Sequence, residues 1–319
     1  MLLPLDVAMR VAVLDLGTNT FRLLIADIEN GTSIRNVAKK QIITRLGGGF
    51  DKKTGLLEKS SIERSLKALK DFSIAIKEHK ATKVFAGATE IVRRARNGKD
   101  FIKRARQEAE IEIEVMTAQQ EAQLAFRGIC AYLKEDISGD VVTLDVGGGS
   151  TEWVRGNLRE GVKAWVSLPL GVVELAEKYL EGDPPTSDSL ARTEKKITGF
   201  VESAVSAVAL EPMISTVIGT GGTATSLAIL DLGIDYYDES LVQNHCLSIE
   251  RVNELEKWLI GLKLTERAHI FPLTGGREDV IIPGAMITRK TMEVFGARKL
   301  LVSDAGLLEG LLIVTAEKH

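Results

Sequence analysis

The stretch VVTLDVGGGSTE, residues 141–152, joins a run of strand-forming apolar residues to Asp145, three consecutive glycines, a hydroxyl pair and Glu152. Glycines in a row destabilise any regular element, because each loses more backbone entropy on folding than another residue would. Bare backbone is therefore required at this point, with two carboxylates beside it. The same phrase occurs earlier: VAVLDLGTNT (11–20) is again an apolar run, then Leu-Asp, an aliphatic residue, glycine and a small polar loop. Asp15 and Asp145 stand 145 − 15 = 130 positions apart, a period that indicates a duplicated domain rather than a solenoid.

The segments downstream of each copy support duplication. After Asn19 come FRLLIADIE, a turn at Asn30-Gly31, and SIRNVAKKQIITRLG, two strands joined by a hairpin signal. After Thr151 come EWVRG, a turn at Asn157, and EGVKAWVSLPLG. Helical periodicity comes next in both halves, over 62–79 in the first, and over 171–180 and 189–209 in the second. Each half continues with a strand that runs into a Gly/Thr loop and a helix, KVFAGATEIVRRA (83–95) against STVIGTGGTATSLAIL (215–230). A last strand and helix close it, 111–133 against 299–316. The expected fold is thus α/β, two units each ordered βββαβαβα with helices on both sheet faces and a cleft between them. The expected boundaries are 1–124 plus 305–319 for one lobe and 125–304 for the other.

Composition narrows the functional classes. Net charge is −3 over 319 residues, so no basic excess points to nucleic acid as partner. An anionic ligand has to be held by local groups. Cys130 and Cys246 lie far apart without CxxC spacing, and His79, His245, His269 and His319 form no ligand cluster. A disulfide framework and a zinc site are not expected, and a reducing cytoplasm is the natural compartment. No apolar run reaches the ~18 residues of a membrane span. The start, MLLPLDVAMR, lacks the basic beginning of a signal peptide, and Met9 is an alternative start to Met1.

Four loops fall at strand ends: 15–19, 87–89, 145–151 and 219–223. In open α/β sheets ligands bind at the carboxyl ends of strands, and glycine there lets backbone N–H groups converge on an anion. Gly17, Thr18 and Asn19, with Gly147, Gly148, Gly149, Ser150 and Thr151, are candidate phosphate-binding residues. Gly221, Gly222 and Thr223 form a weaker candidate on a nucleotide or polymer side. Asp15 and Asp145, equivalent in the two halves, would face each other across the cleft. A hard cation such as Mg²⁺ between them would relieve their repulsion, with Glu152 as a further ligand or a surface glutamate. Arg22 and Arg93 are candidates to hold phosphate bidentately or are solvated. Thr117 and Gln120 read as a capping box, which puts Glu121 at the end of the first turn of a helix burying Ala122, Ala125, Phe126, Ile129 and Leu133. Glu121 is a solvated carboxylate or borders the cleft. Arg267 is solvated or lies near a base or polymer path.

Taken in order, DLGTNTFRLLIADI, GATEIVRRARN, QQEAQLAFRG, LDVGGGSTEW, GTGGTATSLA and SDAGLLEGLL resemble the Ppx/GppA phosphatases, exopolyphosphatases and guanosine pentaphosphate phosphohydrolases, from about residue 10 to 316. The resemblance implies two ribonuclease-H-like lobes of the actin-like ATPase (ASKHA) fold. It implies hydrolysis of a terminal phosphoanhydride with Mg²⁺, often stimulated by K⁺, and pairing into homodimers is common. The family's catalytic glutamate, second of a Glu-Glu pair, aligns with Glu121; the first is Gln120 here. Its Asp and Glu flanking the glycine loop match Asp145 and Glu152, and its phosphate-loop and arginine positions match Gly17, Thr18, Asn19, Arg22 and Arg93. In RLGGGF (45–50), Gly48 stands where an acidic residue is common. The expected activity is release of phosphate from inorganic polyphosphate, with pppGpp hydrolysis as the alternative. An ATP-dependent kinase or ATPase and a (p)ppGpp- or polyphosphate-binding sensor are rivals, the first because GTGGT is where such proteins hold adenosine.

Overall fold

The computed structural model describes residues 9–29, 33–51, 53–134, 137, 139–208, 214, 216–274 and 276–317. The chain before Met9 and the turn expected at Asn30-Gly31 lie outside the described residues. Two compact units result, Met1–Gly128 with Leu307–His319, and Ile129–Gly306.

In the first unit β1 (Met9–Leu16), β2 (Thr20–Glu29) and β3 (Ser33–Ile43) form an antiparallel meander. After α1 (Lys59–Glu78), β4 (Lys83–Ala88) lies parallel to β1. Next, α2 (Glu90–Arg94) and α3 (Gly98–Ala109) lead to β5 (Ile113–Val115), parallel to β4, and then to α4 (Ala118–Tyr132). The sheet order is β3-β2-β1-β4-β5. The second unit repeats the plan with β6 (Asp140–Val146), β7 (Thr151–Asn157), β8 (Gly161–Leu168), α5 (Val172–Lys178), α6 (Ser187–Val208), β9 (Thr216–Thr220) and α7 (Gly221–Leu232). It then adds α8 (Glu239–Val242), β10 (Cys246–Ser248), α9 (Ile249–Gly261), α10 (Leu264–Arg267) and α11 (Ile281–Phe295) before β11 (Lys299–Ser303). The order is β10-β11-β9-β6-β7-β8, and α12 (Leu307–Glu317) returns to the first unit.

Both halves carry the expected α/β plan, with three departures from βββαβαβα, one of them, the paired α5 and α6 after β8, matching the two helical runs read at 171–180 and 189–209. The single helix expected after β4 is two, α2 and α3. The second unit inserts α8 to α11 and β10 between α7 and β11. Three residues are too few for β10 to show alternation. The first half of α11 is buried all round, Ile281 and Ala285 among them, and its charged residues, Arg289, Lys290 and Glu293, come only in the second half, so no polar stripe runs its length. Its Pro283 lies in the first turn, where a missing N–H breaks no helical bond.

Burial explains the strand sequences. Ala12, Leu14 and Leu16 of β1 join a core with Leu66, Leu69 and Phe72 of α1 and Phe101 of α3. Val11 and Val13 point the other way, against Leu308, Leu312 and Ala316 of α12. A strand covered on both faces reads as a continuous apolar run. A buried charge in this unit's sheet, Asp27 of β2, 3% exposed, accepts from Arg10 Nε and Nη2 (2.6 and 2.9 Å) and from Arg35 Nη2 (2.6 Å). Helices α12 and α4 meet backbone to backbone, since a Cβ on Gly310 would stand 1.9 Å from the carbonyl oxygen of Leu124.

Gly310→Ala is expected to destabilise the chain by about 1–3 kcal/mol, the range for overpacking where backbone has to move, measured as a lower urea midpoint. The Arg10 guanidinium, then that of Arg35, holds the Asp27 carboxyl below the ordinary value of 3.8. The folded state therefore binds that proton less readily than the unfolded chain, and the stabilisation is complete above that ordinary value. It is lost as pH falls through the lower folded value. Thermal melts from pH 7 downward are expected to hold level and then drop in that acid range, with a smaller drop in Asp27→Asn.

Candidate active site

The repeated phrase folds into the same turn twice. In the first unit Leu16 pairs with Phe21 and Asp15 with Arg22 across β1 and β2, and Gly17 N–H donates to Thr20 O at 3.2 Å. In the second, Val146 pairs with Thr151 and Asp145 with Glu152, and Gly147 N–H donates to Ser150 O at 2.9 Å. Each position differs by 130 (17 + 130 = 147, 20 + 130 = 150, 22 + 130 = 152). A Cβ on Gly17 or Gly147 would lie 3.0 or 2.9 Å from that accepting carbonyl oxygen, so the turn closes only around bare backbone.

Each turn is held from behind through its carbonyls. Thr18 O accepts from Gly47 N (2.9 Å), and Asn19 O accepts from Thr44 N and Arg45 N (3.0 and 2.9 Å). Gly147 O and Gly148 O accept from Val172 N and Val173 N, both at 3.1 Å, at the start of α5. A Cβ on Gly171 would stand 2.2 Å from Gly148 O and 2.4 Å from Gly149 Cα. Gly171 is thus required by close approach to the Gly148–Gly149 backbone, and Gly147 by the turn itself. Thr151 Oγ1 adds a bond to Leu170 O. With carbonyls occupied on the inner side, the N–H groups of Thr18, Asn19, Gly148, Gly149 and Ser150 reach no acceptor among the described residues. Such an array is suited to an anion. The RLGGGF loop buttresses the first turn: a Cβ on Gly47 would strike Thr18 Cγ2 at 2.3 Å.

The two hairpins differ in charge at equivalent places. Asp15, 9% exposed, stands opposite the cation Arg22, whereas Asp145 stands opposite a second carboxylate, Glu152, 7% exposed. Ser167 Oγ donates to Glu152 Oε1 at 2.6 Å. Like charges directly opposite in a sheet are destabilising, and two hard oxygen donors are the ligand type that Mg²⁺ takes while it keeps several waters. The donor set of Asp145 and Glu152 therefore fits Mg²⁺. Among the described residues no three His, Cys, Asp or Glu side chains gather into a full protein cage.

Beside Asp145 runs the end of β9, with Thr220 as its strand neighbour. Gly221 has φ +77, and a Cβ there would stand 2.6 Å from Asp145 Oδ1. Gly221 and Gly222 are thus part of the same corner, while buried Thr223 packs against Gly284 of α11. Arg277 was not among the sequence candidates. Its guanidinium lies over Gly222, with Nη1 3.1 Å from Ser226 Oγ and 3.4 Å from Gly222 O. Its place directly after a glycine in the loop before α11 was the available signal. Arg267 is neither solvated nor turned toward a ligand. It is 4% exposed and donates to the carbonyls of Glu278 (2.7 Å), Leu259 (3.2 Å) and Leu262, tying the end of α9 to the next loop.

In the first unit Thr117 and Gln120 form the expected box: Gln120 N–H donates to Thr117 Oγ1 (3.1 Å) and Thr117 N–H to Gln120 Oε1 (2.8 Å). Glutamine at this place thus caps the helix without adding charge beside Glu121. Glu121 is half-buried, its side chain 15% exposed, with Oε2 3.5 Å from Arg93 Nη1. Arg93 is fixed by a 2.6 Å bond to Met116 O. The buried stripe of α4 contains Ala122, Ala125, Phe126 and Ile129; Leu133 lies just past the helix end.

The model of the Ppx/GppA phosphatase family matches residues 24–319. Exopolyphosphatase 2 of Mycobacterium tuberculosis is 33% identical over 96% of this chain and 98% of its own length. A crystal structure of the Aquifex aeolicus Ppx/GppA family member superposes with TM-score 0.80 at 34% identity, covering 97% of this chain and 98% of that one. An exopolyphosphatase from Cytophaga hutchinsonii gives TM-score 0.87 at 26% identity, covering 97% and 98%. With the duplicated glycine turns and two α/β sheets of the same plan, these likenesses establish that the chain belongs to the Ppx/GppA phosphatase family.

Proposed function

We propose that this chain is an exopolyphosphatase, releasing phosphate from the end of inorganic polyphosphate in a Mg²⁺-dependent hydrolysis. The observation that carries the reading is the repeated turn with inward carbonyls and outward N–H groups, together with a half-buried glutamate fixed beside an arginine. Donors at Thr18 and Asn19 and at Gly148, Gly149 and Ser150 bind phosphoryl oxygens, and Arg22 adds positive charge. Asp145 and Glu152 would hold Mg²⁺, which supplies charge neutralisation to the phosphate when bound. Glu121 takes the proton of the attacking water, and Arg93 orients that carboxylate through its own bond to Met116 O. Positioning and charge stabilisation carry most of phosphoanhydride cleavage, so little covalent assistance is needed. K⁺ stimulation, a cytoplasmic setting and pairing of two copies are further parts of the proposal. Arg277 extends it, as a second anchor for a substrate's anionic portion beside Asp145.

Glu121→Gln is expected to lower turnover by about 10²–10⁴-fold, the usual contribution of general base assistance, with KM little changed; near-normal turnover removes Glu121 from that role. Arg277→Ala is expected to raise KM about tenfold, the loss of one charge-assisted bond, with kcat nearly unchanged. Steady-state kinetics on long polyphosphate, short polyphosphate and pppGpp side by side decide the substrate. Preference for pppGpp replaces the polyphosphate reading.

A further inference from the structure

The two sheets match strand for strand: β1 with β6, β4 with β9 and β5 with β11, each the next parallel neighbour outward. They differ at one edge. In the second sheet β11 is covered by β10, antiparallel, with Leu247 opposite Leu300 and buried in the core. In the first sheet β5 is terminal, and among the described residues no strand pairs with its far edge. We propose that this edge is a docking surface for an extended segment of a partner protein with basic residues at alternate positions, added antiparallel as β10 is added to β11.

The side chains around β5 define that partner. Val13 and its neighbour Phe85 face the α12 side, so Gly87, two residues on, and its partner Glu114 face that side too. Glu112, two residues before Glu114, shares it. Both glutamates are exposed and line the mouth of a cavity of about 530 Å³. Phe85 and Gly87 line it with Met116, Leu124, Leu311 and Val314, apolar side chains along which lysine or arginine methylenes can lie with the charged head at the glutamates, while Gln120, Gln123 and Arg127, the last paired with Glu317, add polar lining. Arg106 holds Glu112 at 3.1 Å, but both side chains are about three-quarters exposed, 72% and 77%, so the pair is weak and exchangeable. On the opposite face of β5 itself Val115 is 36% exposed, a place for the intervening apolar residue.

Charge selects between occupants. A second copy pairing its own β5 symmetrically about Ile113 would set Glu112 against Glu114 twice, a like-charge opposition that destabilises a ladder. A basic-apolar-basic strand makes the opposite contacts, while its main chain satisfies the edge groups. The docking surface stands independently of the proposed hydrolysis.

The test titrates the intact protein with a labelled short peptide of alternating lysine and valine, read by fluorescence anisotropy. A peptide of the same composition with its lysines in one block is the control. Saturable binding of the alternating peptide, at least fivefold weaker for the control and for the Glu112→Lys/Glu114→Lys pair, supports the proposal, since two reversed cross-strand charge pairs are worth about that factor. Glu112→Gln/Glu114→Gln is expected to fall between. No binding at millimolar peptide, equal binding of both peptides, or binding unchanged in the charge-reversed protein overturns it. So does a self-associated chain by sedimentation whose assembly is abolished by the same reversal, which would assign the edge to a second copy.

Discussion

A single hydrogen bond in each half, from glycine N–H to the carbonyl three residues on, organises the chemistry of this chain. It closes the hairpin in three residues, which sends the next strand back beside the first and sets the seventh residue after each aspartate directly across from it. The turn is tight enough to exclude a Cβ, and its carbonyls are drawn inward by the segments that support it. Donors are what remain outward. An array of donors suited to an anion therefore arises from backbone alone, without any basic residue in either turn.

The duplicated turn is one frame, and the residue at one seat gives the two halves opposite charge. Arginine in the first hairpin sets a cation across from its aspartate; glutamate in the second sets a second carboxylate there. Half-buried Asp145 stands opposite buried Glu152, the kind of paired oxygen donors that a hard cation takes, and Gly221 and Gly222 leave room for the Asp145 carboxylate and for the Arg277 guanidinium beside it. Copies of one motif thus carry opposite charge balances at the same seat.

Much of this was legible in the linear chain because it is written in local, short-range terms. The offset of 130, the glycine turns and the Thr117–Gln120 box depend on neighbours a few residues away. What escaped depends on distant contacts. Gly171 resembles an ordinary loop glycine until its approach to Gly148 is seen. Arg267 and Arg277 lie ten residues apart in similar polar surroundings, yet three carbonyls enclose one and a glycine opens space for the other. Likewise β10 has no periodicity of its own and exists as a strand because β11 offers an edge.

The first unit is assembled from two pieces of chain, the second from one. Val11, Val13 and Leu24 remain without their covering layer until Leu308, Leu312 and Ala316 are made, much later in synthesis. Completion of both units therefore falls at nearly the same moment: β11, an interior strand of the second sheet, is made only just before α12 can cover the second face of the strands that emerged first. Until then the nascent protein carries an uncovered aliphatic sheet, and its safe completion depends on α12 arriving promptly.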